Sequence, residues 1–252
     1  MNSSKLSGLV RRCIEDYNMI SEGEAIAVGV SGGKDSLTLL CALAGLRRYY
    51  PMKFDLHAVT LDMGFGGPDG YEPVAELCRE LRVPYTLRRT DIAQVIFEER
   101  QEKNPCSLCA KMRRGALNDI ITEKGIKKLA LAHHYDDAVE TFLLSLLYEG
   151  RLHCFQPVTY MNRTDTTQIR PLLYVGEHSI IEFTKKQALP VVINPCPMNG
   201  ASKREEVKTL LKTLGNTYPD LKAKIFGAMQ RLPLKGWNPR EYRRRPLPTI
   251  PL

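Results

Sequence analysis

Short apolar runs alternate with amphipathic segments along most of the chain. Five runs have the length and composition of buried strands: 25–30, 54–61, 85–87, 128–132 and 191–193. Seven segments carry apolar residues at helical spacing: 36–48, 72–82, 106–124, 138–148, 177–188, 202–214 and 218–230. Strands that alternate with helices predict an α/β fold with an open, mostly parallel five-stranded sheet and helices on both faces. An alternating pattern at 158–160 and 168–170 adds a small β-hairpin insertion.

The same pattern divides the chain into three parts. Residues 1–24 predict a lead-in helix, residues 25–230 hold the main domain, and residues 231–252 form a tail rich in proline and arginine. This composition predicts a tail that is extended or disordered unless a partner orders it. Within the main domain, residues 91–105 are expected to be irregular.

A glycine-rich turn lies between the first strand and the first helix of the main domain. It consists of Ser31, Gly32, Gly33, Lys34, Asp35 and Ser36. Glycines let a backbone approach phosphate closely, and the N-terminus of the following helix adds partial positive charge. Lys34 supplies a mobile charge, while the hydroxyls of Ser31 and Ser36 can reach phosphate oxygens or a bound Mg²⁺. The spacing differs from that of a Walker A loop. The alternative to a phosphate-binding loop is a glycine turn that binds no ligand.

Residues with reactive side chains recur where the predicted strands end. Asp62 follows the second strand, Asp136 and Asp137 follow the fourth, and Cys196 follows the fifth. The carboxyl ends of parallel strands meet at one edge of the sheet, where the ligands of such folds bind. The sequence therefore predicts one composite site at that edge.

Cys106 and Cys109 begin a predicted helix, and their spacing brings both sulfurs to one face, where the helix N-terminus favours the thiolate form. The chain has no second C-x-x-C pair, which argues against a closed four-cysteine zinc site. Cys196, held between two prolines, is the natural third ligand. Three thiolates suit zinc with an open position or an iron–sulfur cluster with one iron free of protein ligands. The alternative is a redox-active dithiol with Cys196 in a structural role.

The other cysteines have no such pattern. An odd total of seven argues against a disulfide framework in a chain expected to be cytosolic. Cys13, Cys41 and Cys78 lie on apolar helix faces and are expected in the core, as is Cys154.

Several polar residues are candidates for nucleotide chemistry, and most have a simpler alternative. Asp62 could orient ribose, Mg²⁺ or a nucleophile. Asp136 and Asp137 could bind Mg²⁺ on the pyrophosphate or move a proton, or cap the helix that follows. His133 could shuttle a proton or be hydrogen-bonded packing. Arg113, on the sulfur-bearing face of its helix, could steady an adenylate or an RNA phosphate.

Composition narrows the class of protein. The chain of 252 residues is 43% hydrophobic and 25% charged, which is typical of soluble globular proteins. No apolar run reaches the length of a membrane span and the first residues lack a signal-peptide core, so we expect a cytoplasmic protein without membrane contact. Lysine and arginine exceed aspartate and glutamate by 36 − 28 = 8, a balance compatible with a polyanionic partner such as RNA. The basic residues at 203–204 and 243–245 could follow an RNA backbone or only maintain solubility.

Two levels of family resemblance follow from these motifs. The strand, the Ser31–Ser36 turn and the helix resemble the PP-loop of ATP pyrophosphatases, which cleave ATP between the α- and β-phosphates and adenylate a substrate. The addition of Cys106-x-x-Cys109, the run from His133 to Asp137 and the later Cys196 makes the chain similar to TtcA-type tRNA thiolases, the tRNA 2-thiocytidine synthetase family. This resemblance covers roughly residues 20–230.

The resemblance implies a specific chemistry. It implies a [4Fe–4S] cluster on Cys106, Cys109 and Cys196, with zinc as the alternative metal. It also implies that ATP and Mg²⁺ serve to adenylate the C2 oxygen of a pyrimidine in tRNA, with cytidine as the expected base, before sulfur replaces it. Asp62 and the polar residues Arg113 and Asp137 would then be functional. The implied partners are tRNA and a sulfur donor, which is sulfide or a cysteine desulfurase or carrier, and a homodimer is compatible with this interpretation.

Two departures and two alternatives accompany the resemblance. The sequence around the third cysteine, from Asn194 to Gly200, differs from that of the best-known members, and the chain lacks the extra zinc-binding cysteine pairs of related uridine thiolases. The alternatives are a PP-loop ligase that acts on a substrate other than tRNA, and an RNA-binding protein with structural zinc.

Overall fold

A computed structural model describes residues 1–65, 70–100, 105–192, 196–197, 203–231 and 237. Within them, one sheet contains the strands β1 (Glu24–Gly29), β2 (Phe54–Asp62), β3 (Tyr85–Arg89), β4 (Lys128–Ala130), β5 (Val158–Met161) and β6 (Thr166–Ile169). The α-helices are α1 (Ser3–Asp16), α2 (Lys34–Leu46), α3 (Glu72–Glu80), α4 (Ile92–Gln94), α5 (Pro105–Glu123), α6 (Tyr135–Glu149), α7 (Glu177–Lys186), α8 (Lys203–Thr217) and α9 (Leu221–Arg231). A turn of π-helix (Val95–Glu99) follows α4.

The strands lie in the order β3-β2-β1-β4-β6-β5. All neighbours pair in parallel except β5, which runs antiparallel to β6 at one edge. The predicted open, mostly parallel α/β fold is therefore confirmed. Because the chain proceeds from β1 to one side and from β4 to the other, these adjacent central strands form the switch point, and a crevice lies beyond their carboxyl ends.

The sheet differs from the prediction at one edge. The 158–170 hairpin is not an insertion, because β6 pairs in parallel with β4 in a register that sets Lys128 opposite Thr167. The strand predicted at 191–193 is wrong for Val191 and Val192, which are not in a strand, while Ile193 lies outside the described residues. Val191 is 48% exposed, and the place beside β4 that a fifth parallel strand would fill is taken by β6.

Both faces of the sheet are covered, as predicted. Leu56 and Ala58 of β2 point into the larger core, which includes α1, α2 and α7. Val59 and Leu61 of the same strand belong to a smaller core under α5. The alternation of side chains along β2 thus places α5, with its cysteines, on the opposite face from α2.

The lead-in helix and Trp237 pack against this domain. The lead-in helix α1 contributes Leu6 and Val10 to the larger core. Trp237 is 1% exposed, and its Nε1 donates to the carbonyl of Phe155 at 2.8 Å. The hydroxyl of Tyr17 donates to the carbonyl of Trp237 at 3.3 Å. Of the predicted tail, Arg231 ends α9 and Trp237 is buried, and the other residues lie outside the described residues. The three-part division of the chain stays a prediction.

Other boundaries shift locally. The segment expected to be irregular at 91–105 contains α4 and the π-helical turn, whose Phe97 ring lies 5.8 Å from that of Phe65. Helix α6 begins at Tyr135, ahead of the predicted start at 138. None of the helices in the described part of the chain is both long and apolar enough to cross a membrane.

Candidate active site

The glycine-rich turn forms a compact loop between β1 and α2. The Ser31 amide donates to Ser36 Oγ at 3.1 Å, and Ser36 Oγ donates to the Gly33 carbonyl at 2.9 Å. Gly32 has a φ of +81°, and a Cβ there would lie 2.8 Å from Cβ of Val192. Gly33 caps α2 without a side chain, so no cap side chain competes for the N–H groups of the first turn. The loop is therefore shaped to receive an anion.

Lys34 stands at the mouth of this loop with two acidic neighbours. Its Nζ lies 3.0 Å from Asp35 and 3.0 Å from Glu177 at the start of α7. Burial opposes its charge, but the two carboxylates outweigh burial and raise the pKa of Lys34. The ammonium therefore stays charged at neutral pH.

A cavity of about 230 Å³ lies between this loop and α5. Its floor is apolar and consists mainly of Val59, Leu61, Leu117 and Leu131. Its rim is polar and includes Ser31, Asp35, Ser36, Arg113 and His133. An apolar floor with a polar rim on one side suits a flat base joined to a charged group.

Asp62 lies at the end of β2, where its Oδ1 accepts from the Gly64 amide at 3.0 Å. Tyr71 is close by: burial first, and then the charge of Asp62, raises its pKa, while the charge of Arg113 opposes the shift. Cε1 of Tyr71 is 3.6 Å from the position of a Cβ on Gly32. The charges of Asp62 and Arg113 therefore both act on Tyr71, which lies beside the phosphate loop.

The charges of two of the predicted cysteine ligands, Cys106 and Cys196, act on the third, Cys109. Burial raises the pKa of the Cys109 thiol, Arg113 opposes this, and the charges of Cys196 and Cys106 raise it further. The sulfurs of α5 and of the segment after α7 therefore interact electrostatically. In the parts of the chain that the structure describes, no three side chains of His, Cys, Asp or Glu form a group that could hold a metal ion. The prediction that the helix N-terminus favours the thiolate fails at Cys109, where burial dominates.

The remaining cysteines are buried or half-buried. Burial raises the pKa of Cys41 to about 12, that of Cys78 to about 11 and that of Cys154 to about 12. Their prediction as core residues is confirmed.

The run after β4 is largely a capping structure. His134 is the N-cap of α6: the Asp137 amide donates to its Nδ1 at 3.4 Å, and its own amide donates to Asp137 Oδ2 at 3.0 Å. Both oxygens of Asp136 have protein donors, the Glu177 amide at 2.7 Å and Lys222 Nζ at 2.6 Å. The capping alternative is therefore correct for Asp137, and Asp136 ties α6 to α7 and α9.

His133 lines the cavity beside the phosphate loop. Burial first, and then the charge of Arg170, lowers the pKa of His133 to about 4. The ring is therefore neutral at physiological pH.

Several residues around the site were missed by the sequence analysis. They are Tyr71, Arg170, Glu177 and Lys222. Arg204 was assigned to RNA contact or solubility, but it faces inward and donates to Asp137 at 3.2 Å and to Glu140 at 3.0 Å. Each of these contacts joins elements far apart in the chain, so no local motif marks them.

The chain is similar to several known proteins. The PP-loop domain family matches residues 5–212. A tRNA-cytidine(32) 2-sulfurtransferase of Geobacter sulfurreducens is 40% identical over 228 residues, which cover 89% of this chain and 88% of that protein. The protein of the same name from Geobacter metallireducens is 39% identical over 243 residues, with 95% and 94% coverage. The solved structure of the U34-tRNA thiolase NcsA from Methanococcus maripaludis, described with its [4Fe–4S] cluster, matches with a TM-score of 0.75 at 25% identity and covers 90% of this chain and 77% of that one.

Proposed function

Because this chain belongs to the PP-loop family and, within it, to the tRNA-cytidine(32) 2-sulfurtransferases, we propose that it uses ATP to replace the C2 oxygen of a cytidine in tRNA with sulfur. The names of its relatives disfavour the two alternatives, a ligase for a small substrate and a zinc-bearing RNA-binding protein. Because the proposed substrate is tRNA, we expect the reaction to take place in the cytoplasm.

ATP would bind across the phosphate loop and the cavity. The amides of Gly32 and Gly33 and the charge of Lys34 suit the pyrophosphate, and the apolar floor suits a base. The Mg²⁺ that accompanies ATP would take oxygen ligands from Asp35 and the loop hydroxyls. Asp136 is less suited to Mg²⁺, because Lys222 and the Glu177 amide already bind its oxygens.

Cys106, Cys109 and Cys196 would hold the [4Fe–4S] cluster. The donor set fits this group, since Cys109 interacts with both Cys106 and Cys196 and thiolate is the ligand that such clusters take. Binding would have to draw the three sulfurs together from their described positions. With three protein ligands, one iron remains available for the sulfur that is transferred. Zinc with an open position is the less favoured metal.

The reaction balances without net oxidation. The C2 oxygen of the pyrimidine attacks the α-phosphorus of ATP and pyrophosphate leaves; sulfide then attacks C2, and AMP leaves with the oxygen. Arg113 lies between the cavity and Cys109, where it would steady the adenylate. Asp62 would orient the nucleotide from the end of β2, and Asp137 would hold the α6 N-terminus and His134 in place. The sulfur donor is sulfide or a desulfurase or carrier.

The observation that carries this proposal is the position of Arg113. Arg113 lines the cavity together with Ser31 and Ser36. Its charge lowers the pKa of the Cys109 thiol, which the charge of Cys196 raises. The sulfur chemistry and the nucleotide chemistry would thus meet at one residue.

The test is anaerobic purification together with mass analysis of tRNA nucleosides from a deletion strain and from strains complemented with variants. We expect a brown wild-type protein and 2-thiocytidine that is lost on deletion. Cys106→Ala should lose both colour and thiolation, whereas the matched control Cys41→Ala should keep both. A colourless protein with stoichiometric zinc and unchanged tRNA would overturn the proposal. Sedimentation of the cluster-loaded protein decides whether it is a homodimer.

A further inference from the structure

Arg170, just after β6, is a buried cation with neutral partners. It is 5% exposed. Its Nη1 donates to the Gln156 carbonyl at 2.5 Å and to Thr159 Oγ1 at 3.1 Å, and its Nη2 donates to Gln168 Oε1 at 3.3 Å. No carboxylate of the described residues forms an ion pair with it. Burial lowers the pKa of Arg170 only to about 10, so the guanidinium remains charged. A buried cation without an anion is costly, which favours a role in the neighbouring site.

The Nε donor of Arg170 fixes a proton position on His133. Arg170 Nε donates to His133 Nδ1 at 3.3 Å. A guanidinium only donates, so Nδ1 must accept, and the single proton of the neutral imidazole lies on Nε2.

The ring is also held in orientation. The centroids of the His133 and Phe155 rings lie 4.7 Å apart, and the Arg170 guanidinium carbon lies 5.0 Å from the centroid of the same Phe155 ring. His133 lines the cavity together with Ser31 and Asp35. The tautomer and the orientation of the ring are therefore both set before any nucleotide enters.

The charges around His133 keep it neutral. Besides burial, the cations Arg170 and Arg204 and the neighbouring His134 lower its pKa, and Asp137 raises it. These groups come from the end of β6, from α8 and from the start of α6. A ring held neutral in this way is a poor proton carrier at physiological pH.

We propose that Arg170 is a positioning residue that holds His133 as its Nε2–H tautomer, so that His133 is a fixed hydrogen-bond donor to an oxygen of the bound nucleotide and not a proton shuttle. The identity of the acceptor rests on the proposed function. The tautomer itself does not.

The direct test is a long-range ¹H–¹⁵N spectrum of the full chain labelled on its five histidines, recorded across pH. His133 is assigned by the signal lost in His133→Gln. We expect the neutral Nε2–H pattern for His133 down to pH 6, and either mixed tautomers or protonation at pH 6 in Arg170→Met. His57, which is paired with Thr86, is the internal control and should not change. A wild-type His133 with its proton on Nδ1, or one that titrates near pH 6.5, would overturn the proposal.

Two further variants separate positioning from folding. Thr159→Val removes another contact of Arg170 but leaves the His133 contact, and it should keep the wild-type spectrum. Arg170→Lys keeps the charge and one donor nitrogen, and it should retain the tautomer in part. This variant replaces Arg170→Met in the test if Arg170→Met fails to fold. A Thr159→Val spectrum as altered as that of Arg170→Met would mean that Arg170 only supports the hairpin.

Activity gives a second readout. His133→Gln keeps an amide donor and should retain most ATP-dependent turnover, whereas His133→Phe should lower kcat/KM about 10-fold to 100-fold, as for loss of a hydrogen bond to a charged oxygen. Equal losses in both variants would refute the donor role. Failure of the tRNA assignment would appear as unchanged tRNA in the deletion strain, with the histidine spectra unaffected.

Discussion

Arg204 at the start of α8 donates to the carboxylate of Asp137 on α6 at 3.2 Å. The same Nη1 donates at 3.0 Å to Glu140, whose side chain is 2% exposed. This pairing fastens the start of α8 to the helix that follows β4. The basic residue that the sequence assigned to the surface is a clamp between two parts of the site.

Removal of this clamp should destabilise the fold. Arg204→Met removes the hydrogen-bonded guanidinium from buried Glu140 and leaves only the charge of Lys208 to act on it, so we expect the free energy of unfolding to fall by about 3 kcal/mol. The double variant Arg204→Met with Glu140→Gln should recover part of that loss, because the uncompensated charge is gone. Urea unfolding of the four members of the cycle measures both effects. A single variant as stable as wild type would mean that Arg204 behaves as a surface residue.

Gly32 should not tolerate a side chain. Gly32→Ala places a Cβ 2.8 Å from Val192 at a φ of +81°, so we expect a loss of about 2 kcal/mol and weaker ATP binding. Gly33→Ala is the matched control, because its φ is −74° and the nearest atom to its Cβ is Ser31 Oγ at 3.5 Å. Urea unfolding and calorimetric ATP titration measure the pair. Equal stability of the two variants would contradict the strain argument.

The sequence predicted what depends on local pattern. The glycine turn, the helices and four of the parallel strands follow from periodicity and turn residues that lie close together in the chain. The edge of the sheet does not follow from local pattern. The apolar run at Val191 has the composition of a strand, but the position beside β4 is occupied by β6. Strand order is decided by packing between distant segments, which a single sequence does not display.

The same limit applies to the site. Chain order brought the cysteines, Asp62 and the phosphate loop to one edge, because the carboxyl ends of parallel strands meet there. Chain order did not distinguish the role of Asp136 from that of Asp137, because Asp136 pairs with Lys222 and Asp137 with Arg204, both from later helices. Adjacent acidic residues look alike until the folded partners are known.

The Asp136 ion pair should make stability depend on acid pH. Burial opposes ionisation of Asp136, but the Glu177 amide and Lys222 outweigh it and hold the pKa below its usual 3.8. A carboxylate with a lowered folded-state pKa stabilises the fold fully above its unfolded-state pKa, and that contribution is lost as pH falls through the folded value. Lys222→Met should therefore cost about 1 kcal/mol at pH 7 and progressively less below pH 4.

The control for this ion pair is Lys224→Met, an exposed position on the same helix, which should unfold like wild type at both pH values. Urea unfolding at pH 7 and pH 3 measures the difference. A cost for Lys222→Met that stays constant between these pH values would exclude the linkage to Asp136.

Arg113 should control the reactivity of Cys109. Burial raises the pKa of this thiol and Arg113 partly offsets the shift, so Arg113→Met should raise the pKa further and reduce the thiolate fraction. In metal-free protein at pH 8, alkylation of Cys109 by iodoacetamide should slow about threefold to tenfold, since one pKa unit is a tenfold change in thiolate. Lys111→Met, exposed on the same helix and absent from the charges that act on Cys109, should leave the rate unchanged. Peptide mass spectrometry follows the reaction. The same guanidinium lines the nucleotide cavity. An unchanged rate in Arg113→Met would mean that Arg113 does not connect this cavity with Cys109, and it would contradict the observation on which the sulfur-transfer proposal depends.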